Sequence, residues 1–263
     1  GRTTGIAYFE WSVPDNEDIH DEDVWHRYIP GLDDITLDAI RADHQAMPEG
    51  EFRRAYMNQW TGSYAAWISM DVWDRGNAEP DIPEGSPVYL GIDGASDRDT
   101  AAVAIVRRDD DGILHAKVKV FVPHAEDGIN WDALENYIRD LDKTYYVVEA
   151  HYDPHLLVRS ASMLQDEGIN MVNVPQNVSN KIRYSQALYD AAIEGRVRHG
   201  GDETLRAHVE AAKGKDRGNG WTIEKMASVT RRPSDAVVAL AMAVSAADEA
   251  AYLPGPGIQV IDL

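Results

Sequence analysis

The stretch that most constrains this chain is 88–106, Val88-Tyr-Leu-Gly-Ile-Asp-Gly-Ala-Ser-Asp-Arg-Asp-Thr-Ala-Ala-Val-Ala-Ile-Val106. Apolar residues run up to Ile92, and an acid, Asp93, closes the run. After a polar turn at 96–100, a second apolar run returns over Ala101–Val106. Two short apolar runs around a turn predict a pair of antiparallel strands. Gly91 and Gly94 flank the acid and allow a backbone or a ligand to come close. A carboxylate at the end of a central strand suits a hard divalent cation such as Mg²⁺, which takes oxygen ligands. The plain alternative is an Asp that caps a turn.

Downstream the pattern keeps its rhythm. Asp109–Gly112 reads as a hairpin turn and Leu114–Val122 as a third strand with alternating apolar residues. Helices are predicted over Asn130–Leu141, Pro154–Glu167, Ser179–Glu194 (capped by Ser179, stopped by Gly195) and Glu203–Lys213. Strands are predicted at Tyr145–Ala150, Asn170–Val174, Val197–His199 and Trp221–Met226, with Gly214–Gly220 as a basic loop. A long Ala-rich helix, Pro233–Ala250, closes the series. Three antiparallel strands followed by α/β alternation define a mixed sheet of the α/β class with flanking helices.

Upstream, Gly5–Trp11 looks strand-like and Pro14–Asp23 is an acidic loop that Trp25, Tyr28 and Ile29 can anchor. Helices are predicted over Thr36–Met47, with Thr36 as N-cap, and over Pro48–Trp60. Trp60, Trp67 and Trp73 read as packing residues. The proline-bearing stretch Asn77–Ser86 reads as a linker. The expected units are a mostly helical segment over 1–85, an α/β domain over 86–252 and a flexible tail over 253–263.

Cysteine is absent, which excludes disulfide frameworks and thiolate zinc sites. No apolar run is long enough to span a bilayer. The abrupt start at Gly1-Arg-Thr-Thr reads as a piece of a longer protein, and an intracellular, non-secreted protein is the default expectation. The net charge of -20 argues against a general nucleic-acid binder. Its distribution matters more: residues 1–85 hold 6 Lys/Arg against 18 Asp/Glu, and residues 181–235 hold 11 against 8.

Three acids fall at element ends. Asp93 ends the first strand, Asp153 follows the fourth, and Asp235 sits in the first turn of the last helix. They converge if the first and fourth strands are neighbours and the last helix packs across them. Three carboxylates in a small space repel one another. Two divalent cations roughly 3.5–4 Å apart would offset that and support phosphodiester hydrolysis, one activating water and the other stabilising the leaving 3′-oxygen. Asp99 can reach the same place from across the hairpin, or cap the turn with Thr100. Glu149 faces the same side as Asp153, as a ligand or as support for one. Lys225 is placed to hold a phosphate, or is an ordinary surface lysine. His151 and His155 flank Asp153.

These residues, in this order, resemble the C-terminal part of the large subunit of tailed-phage terminases, the DNA-packaging motors. The pieces are Gly91-Ile-Asp-Gly-Ala95, Asp99-Thr-Ala101, Tyr152-Asp-Pro154, Val174-Pro-Gln176, Gly195-Arg-Val-Arg-His199, Lys225, Arg232-Pro-Ser-Asp-Ala236 and Val238-Ala-Leu-Ala-Met-Ala243. Upstream, Glu10-Trp-Ser-Val-Pro14, Trp25, Pro30 and Phe52–Trp60 resemble the segment that joins the motor's ATPase to its nuclease. The resemblance implies an RNase H-like nuclease domain that cuts concatemeric double-stranded DNA with two Mg²⁺ or Mn²⁺ ions. Asp93, Asp153 and Asp235 would be the catalytic, metal-binding acids, with Asp99 a fourth ligand. Partners would be DNA, a small terminase subunit and a portal protein, in the host cytoplasm. The family's ATPase would lie before Gly1. DNA contact is expected from Lys213, Lys215, Arg217, Lys225, Arg231 and Arg232, with Lys181/Arg183 and Arg196/Arg198 as further patches, and would be steeply salt-dependent. The rival readings are a resolvase or transposase with the same sheet, a sugar-kinase or actin-like ATPase, and a silent portal-docking module.

Overall fold

The computed structural model describes residues 11–14, 16–47, 49–59, 66–94, 100–124, 128–225 and 234–250. The strand-like Gly5–Trp11 prediction, except Trp11, and the 253–263 tail lie outside these residues.

The chain's described part starts with helices. They are α1 (Glu22–Tyr28), α2 (Asp34–Ala46), α3 (Glu49–Ala55) and α4 (Met70–Asp74). Val13, Ile19, Val24, Trp25, Leu37, Ile40, Phe52 and Met57 make a small core of their own. Three expectations are corrected here. The acidic stretch runs into α1, because Asp21 caps it by accepting from the N–H of Asp23 while Val24 and Trp25 turn inward. The cap of α2 is Asp33, which accepts from the N–H of Thr36, so Thr36 is inside the helix. The second predicted helix stops at Ala55, and Asn58 takes a left-handed φ of 49°.

The sheet follows: β1 (Pro87–Asp93), β2 (Ala101–Arg108), β3 (Leu114–Phe121), then α5 (Trp131–Thr144), β4 (Tyr146–Tyr152), α6 (Pro154–Asp166), β5 (Met171–Asn173), α7 (Val178–Ile193) and β6 (Val197–Arg198). The strand order is β5-β4-β1-β2-β3-β6. β1–β2–β3 is an antiparallel meander, and β4 pairs parallel with β1 on its other side. This is the expected mixed sheet, with the first and fourth strands as neighbours. β1 and β2 are central, so they are apolar on both faces. Leu90, Ile92, Val103 and Ile105 face α5 and α6. Ala102, Ala104 and Val106 face the other way, into a core shared with Trp67, Trp73, α7 and the last helix.

Beyond the sheet come α8 (Glu203–Ala211), β7 (Ala212–Asp216), β8 (Trp221–Lys225) and α9 (Asp235–Ala250). The basic loop expected at 214–220 is instead a β-hairpin. Ala212–Asp216 pairs residue by residue with Trp221–Lys225. Buried Trp221 and Ile223 hold it to the core, and the N–H of Ile223 donates to Ser185 Oγ at 2.9 Å. Gly218 and Gly220, at φ 80° and 146°, make the turn that side chains would resist. The helix expected over Glu203–Lys213 therefore stops at Ala211. The cap of α7 is Asn177, accepting from the N–H of Asn180, and exposed Ser179 lies inside the helix.

α9 lies directly on β1 and β2. It is buried almost all round, from Asp235 to Ala247, which suits its run of Ala, Val, Leu and Met. The approach is possible because β1 has Gly91 there: a Cβ at that position would sit 1.9 Å from the carbonyl oxygen of Ala239.

Candidate active site

β1 and β4 run in register to the same end. Their ladder extends one step past β4, where the N–H of Asp153 donates to the carbonyl of Ile92 at 3.1 Å. That bond sets Asp153 beside Asp93. Asp153 then caps α6, accepting from the N–H of His155 at 2.9 Å, and Pro154 occupies the first turn. Asp235 arrives from the opposite layer as the first residue of α9. Its Oδ2 accepts from Thr100 Oγ1 at 2.5 Å, at the start of β2.

The three aspartates line one cleft of about 330 Å³, together with Gly94, Gln176, Lys181, Tyr184, Ile223, Glu224 and Val238. Asp93 is 8% exposed and Asp235 only 1%. Burying carboxylates is costly unless something offsets the charge. Among the described residues, no three or more acidic or histidine side chains are gathered closely enough to hold a metal ion as they stand. The donors around the cleft are all oxygens, without thiolate or imidazole, and such a set fits Mg²⁺ or Mn²⁺ rather than a soft metal.

Beside the predicted acids, the cleft is lined by the side chains of Gln176, Lys181, Tyr184, Ile223, Glu224 and Val238, of which the sequence reading offers only Lys181, as a DNA contact. Tyr184 and Lys181 come from one face of α7, three residues apart, a helical spacing readable in the sequence. Burial pushes the Tyr184 phenol well up from its usual range, and the negative charges of Asp93, Asp153 and Glu224 add to this. It stays protonated and donates to Gln176 Oε1 at 2.7 Å. Glu224 belongs to β8, on the far wall. Its Oε1 accepts from Arg217 Nη2 and from Thr222 Oγ1, and lies 3.9 Å from Lys181 Nζ. No local signal marks Glu224, because the hairpin that aims it was itself read as a loop.

The remaining predicted residues divide. Glu149 does not line the cleft and bonds His151 Nε2 at 2.7 Å. Lys213 and Lys215 are on β7, half-buried and exposed respectively, while Arg217 is committed to Glu224 and Thr222. Lys225 ends β8 opposite Ala212. Arg183 pairs with Glu249, and Arg196 with Glu194 and Asp248. Asp99, Arg231 and Arg232 lie outside the described residues.

A mixed sheet with an antiparallel meander, a parallel strand beside its first member and acids at the adjoining strand ends is an RNase H-like fold. The comparisons agree on the fold and narrow the family. The crystal structure of the large terminase of bacteriophage HK97 superposes with a TM-score of 0.60 at 21% identity, over 90% of this chain and 56% of that one. The large terminase nuclease of thermophilic phage G20c, crystallised with bound magnesium, gives 0.53 at 17% identity, over 70% of this chain and 98% of that one. The Gene 13 protein of Mycobacterium phage L5 is 24% identical in an alignment of 249 positions that covers 82% of this chain and 40% of that protein. The family described as terminase large subunit, endonuclease domain, matches residues 4–141, just over half of the chain. The chain belongs to this family. It spans 40% of the length of its L5 relative and 56% of the HK97 terminase.

Proposed function

We propose that this chain is the metal-dependent endonuclease part of a phage DNA-packaging motor, hydrolysing phosphodiester bonds of concatemeric double-stranded DNA. The observation that carries the reading is that Asp93, Asp153 and Asp235, from three distant parts of the chain, line one cleft. They would hold the divalent ions, with Asp99 as a further candidate. When bound, the ions supply an activated water and stabilise the leaving 3′-oxygen. Two ions are the expected number. The cleft sets Asp93, Asp153, Asp235 and Glu224 against Lys181, with Arg217 already bonded to Glu224. One divalent ion offsets that net charge, and a second makes the cleft attractive to a phosphodiester. The bound magnesium of the G20c nuclease is consistent with this donor set.

The chain's own residues do the rest. Asp93 and Asp153 offer carboxylates from adjoining strands, Asp235 is oriented by Thr100, and Tyr184 with Gln176 forms a fixed polar wall. DNA backbone contacts fall to Lys213, Lys215, Lys225, Arg231 and Arg232. Arg217 instead holds Glu224. The units 1–85, 86–252 and 253–263 belong to the same reading, with the first ending a motor ATPase and joining it to the nuclease. A small terminase subunit and a portal protein, in the host cytoplasm, would be the partners. Among the described residues, no helix is long and apolar enough to cross a membrane.

Plasmid cleavage tests the proposal, with Mn²⁺, with Mg²⁺ and with EDTA, beside Asp93→Ala. Cleavage that needs metal and falls by about a hundredfold or more in the variant is expected. No cleavage in either metal at low salt would favour a silent portal-docking module. Cleavage that survives Asp93→Ala would put the active site elsewhere.

A further inference from the structure

Every helix from α4 to α8, and also α1 and α2, starts on a side-chain cap from its own N-cap residue: Asp21, Asp33, Ser69, Asn130, Asp153, Asn177 and Asp202. The helix that carries Asp235 does not follow this habit. Ser234 stands at the cap position, fully buried, yet its Oγ makes no hydrogen bond among the described residues. The N–H of Ala236 donates instead to Nδ1 of His208, 28 residues away on α8, at 3.1 Å. Because the donor is a backbone N–H, Nδ1 must be unprotonated, and the neutral ring carries its proton on Nε2.

His208 is 4% exposed and holds two ends at once. Its carbonyl accepts from the N–H of Ala212, the first residue of β7, and its ring fixes the first turn of α9. One wall of the cleft, Asp235, is thereby tied to the hairpin that supplies the other wall, Ile223 and Glu224. A local Ser cap would orient α9 without reference to that hairpin.

We propose that His208 is a positioning residue that sets where the Asp235 carboxylate stands across the cleft, acting through the Ala236 N–H. This deepens the nuclease reading and rests on it. Outer-shell partners of metal ligands typically alter metal affinity or activity by about 10–100-fold.

The test compares His208→Asn, whose amide oxygen can replace Nδ1 as acceptor, with His208→Leu, which fills the space without one. Mn²⁺ binding to the DNA-free protein is read by electron paramagnetic resonance, beside thermal melting and cleavage kinetics. His208→Leu should bind Mn²⁺ about tenfold or more weaker and lose kcat, with KM for DNA unchanged. His208→Asn should stay near wild type. A purely structural role would lower the melting temperature and leave Mn²⁺ affinity alone, and that result overturns the proposal, as does an Asn variant no better than Leu. Nitrogen-15 spectra of the wild type give a check independent of any variant, since a ring protonated on Nδ1 contradicts the bond. A wild type that neither binds Mn²⁺ nor cuts DNA sinks the nuclease reading and this one with it. A wild type that does both, beside an equally competent His208→Leu, sinks this one alone.

Discussion

At the scale of single residues, the helical segment holds a buried pair of imidazoles. His20 Nδ1 and His44 Nε2 are 2.8 Å apart, so one proton is shared between two facing nitrogens. Burial lowers His20 to about 4, with Asp18 opposing and Arg53 and Arg75 adding. Burial, then the neighbouring His20, lowers His44 to about 4 as well. Trp25 and Phe52 pack edge-on against His44, and Glu49 lies 3.9 Å from His20 Nε2. The unfolded chain takes up protons near the ordinary value of 6.5, whereas the folded pair resists until about 4. The pair's contribution to stability is therefore complete above pH 6.5 and is lost as pH falls toward 4. Each imidazole accounts for at most about 1.4 kcal/mol per pH unit. Urea melts between pH 7 and 5 should show the midpoint falling in the wild type and a flatter profile in His20→Leu/His44→Leu. Equal slopes would mean the pair is not titrating as a buried unit.

At the scale of elements, the contact that matters most for the site is α9 on β1. Asp235 is where it is because α9 can lie flat on the strand, and α9 can lie flat because Gly91 has no side chain. Gly91→Ala forces a methyl group against the Ala239 carbonyl, 1.9 Å from an ideal Cβ, with backbone rather than a flexible side chain in the way. A loss of about 1–3 kcal/mol, the usual range for overpacking, is expected in denaturant melts, with the cleavage rate falling further than stability alone explains. Gly94→Ala meets side chains rather than backbone, the Trp131 ring at 3.2 Å and Leu157 Cδ1 at 3.6 Å, and should be tolerated better. Comparable losses at both positions would mean that α9 does not sit as close as its geometry indicates. The cap positions teach the same lesson at lower energy. Asn177 and Asp33 take the roles expected of Ser179 and Thr36, because all four are competent cap residues and only the entering chain direction separates them.

For the whole molecule, charge and metal are linked. The chain carries a net -20, and two of the three cleft aspartates are buried. An ion that binds the folded cleft and not the unfolded chain must stabilise the fold. At a concentration a hundredfold above its dissociation constant the gain is about 2.7 kcal/mol. Mn²⁺ should therefore raise the melting temperature of the wild type, EDTA should reverse the rise, and Asp93→Asn should abolish it. A rise that persists in the variant would indicate adsorption to the general acidic surface instead.

Much was legible in the sequence. Strand, turn and helix periods located β1, β2, β3, α5, β4 and α6 within a few residues, since those signals are local. The acids at strand ends stood out for the same reason: Asp93 closes an apolar run, and Asp153 follows a strand and precedes the Pro154 that starts a helix. What only the tertiary structure decided is what meets what. Residues 212–225 read as loop and strand because a short basic segment has little apolar alternation, and it becomes a hairpin only where Trp221 and Ile223 find a core to enter. Glu224, Lys181 and Tyr184 join the cleft through that hairpin and α7; the spacing of Lys181 and Tyr184 puts them on one helix face but does not say what that face meets. His208 caps a helix 28 residues away. Periodicity is a property of neighbours along the chain, whereas the cleft is made by packing across it, and contacts between distant residues are selected by the shape and burial of whole elements.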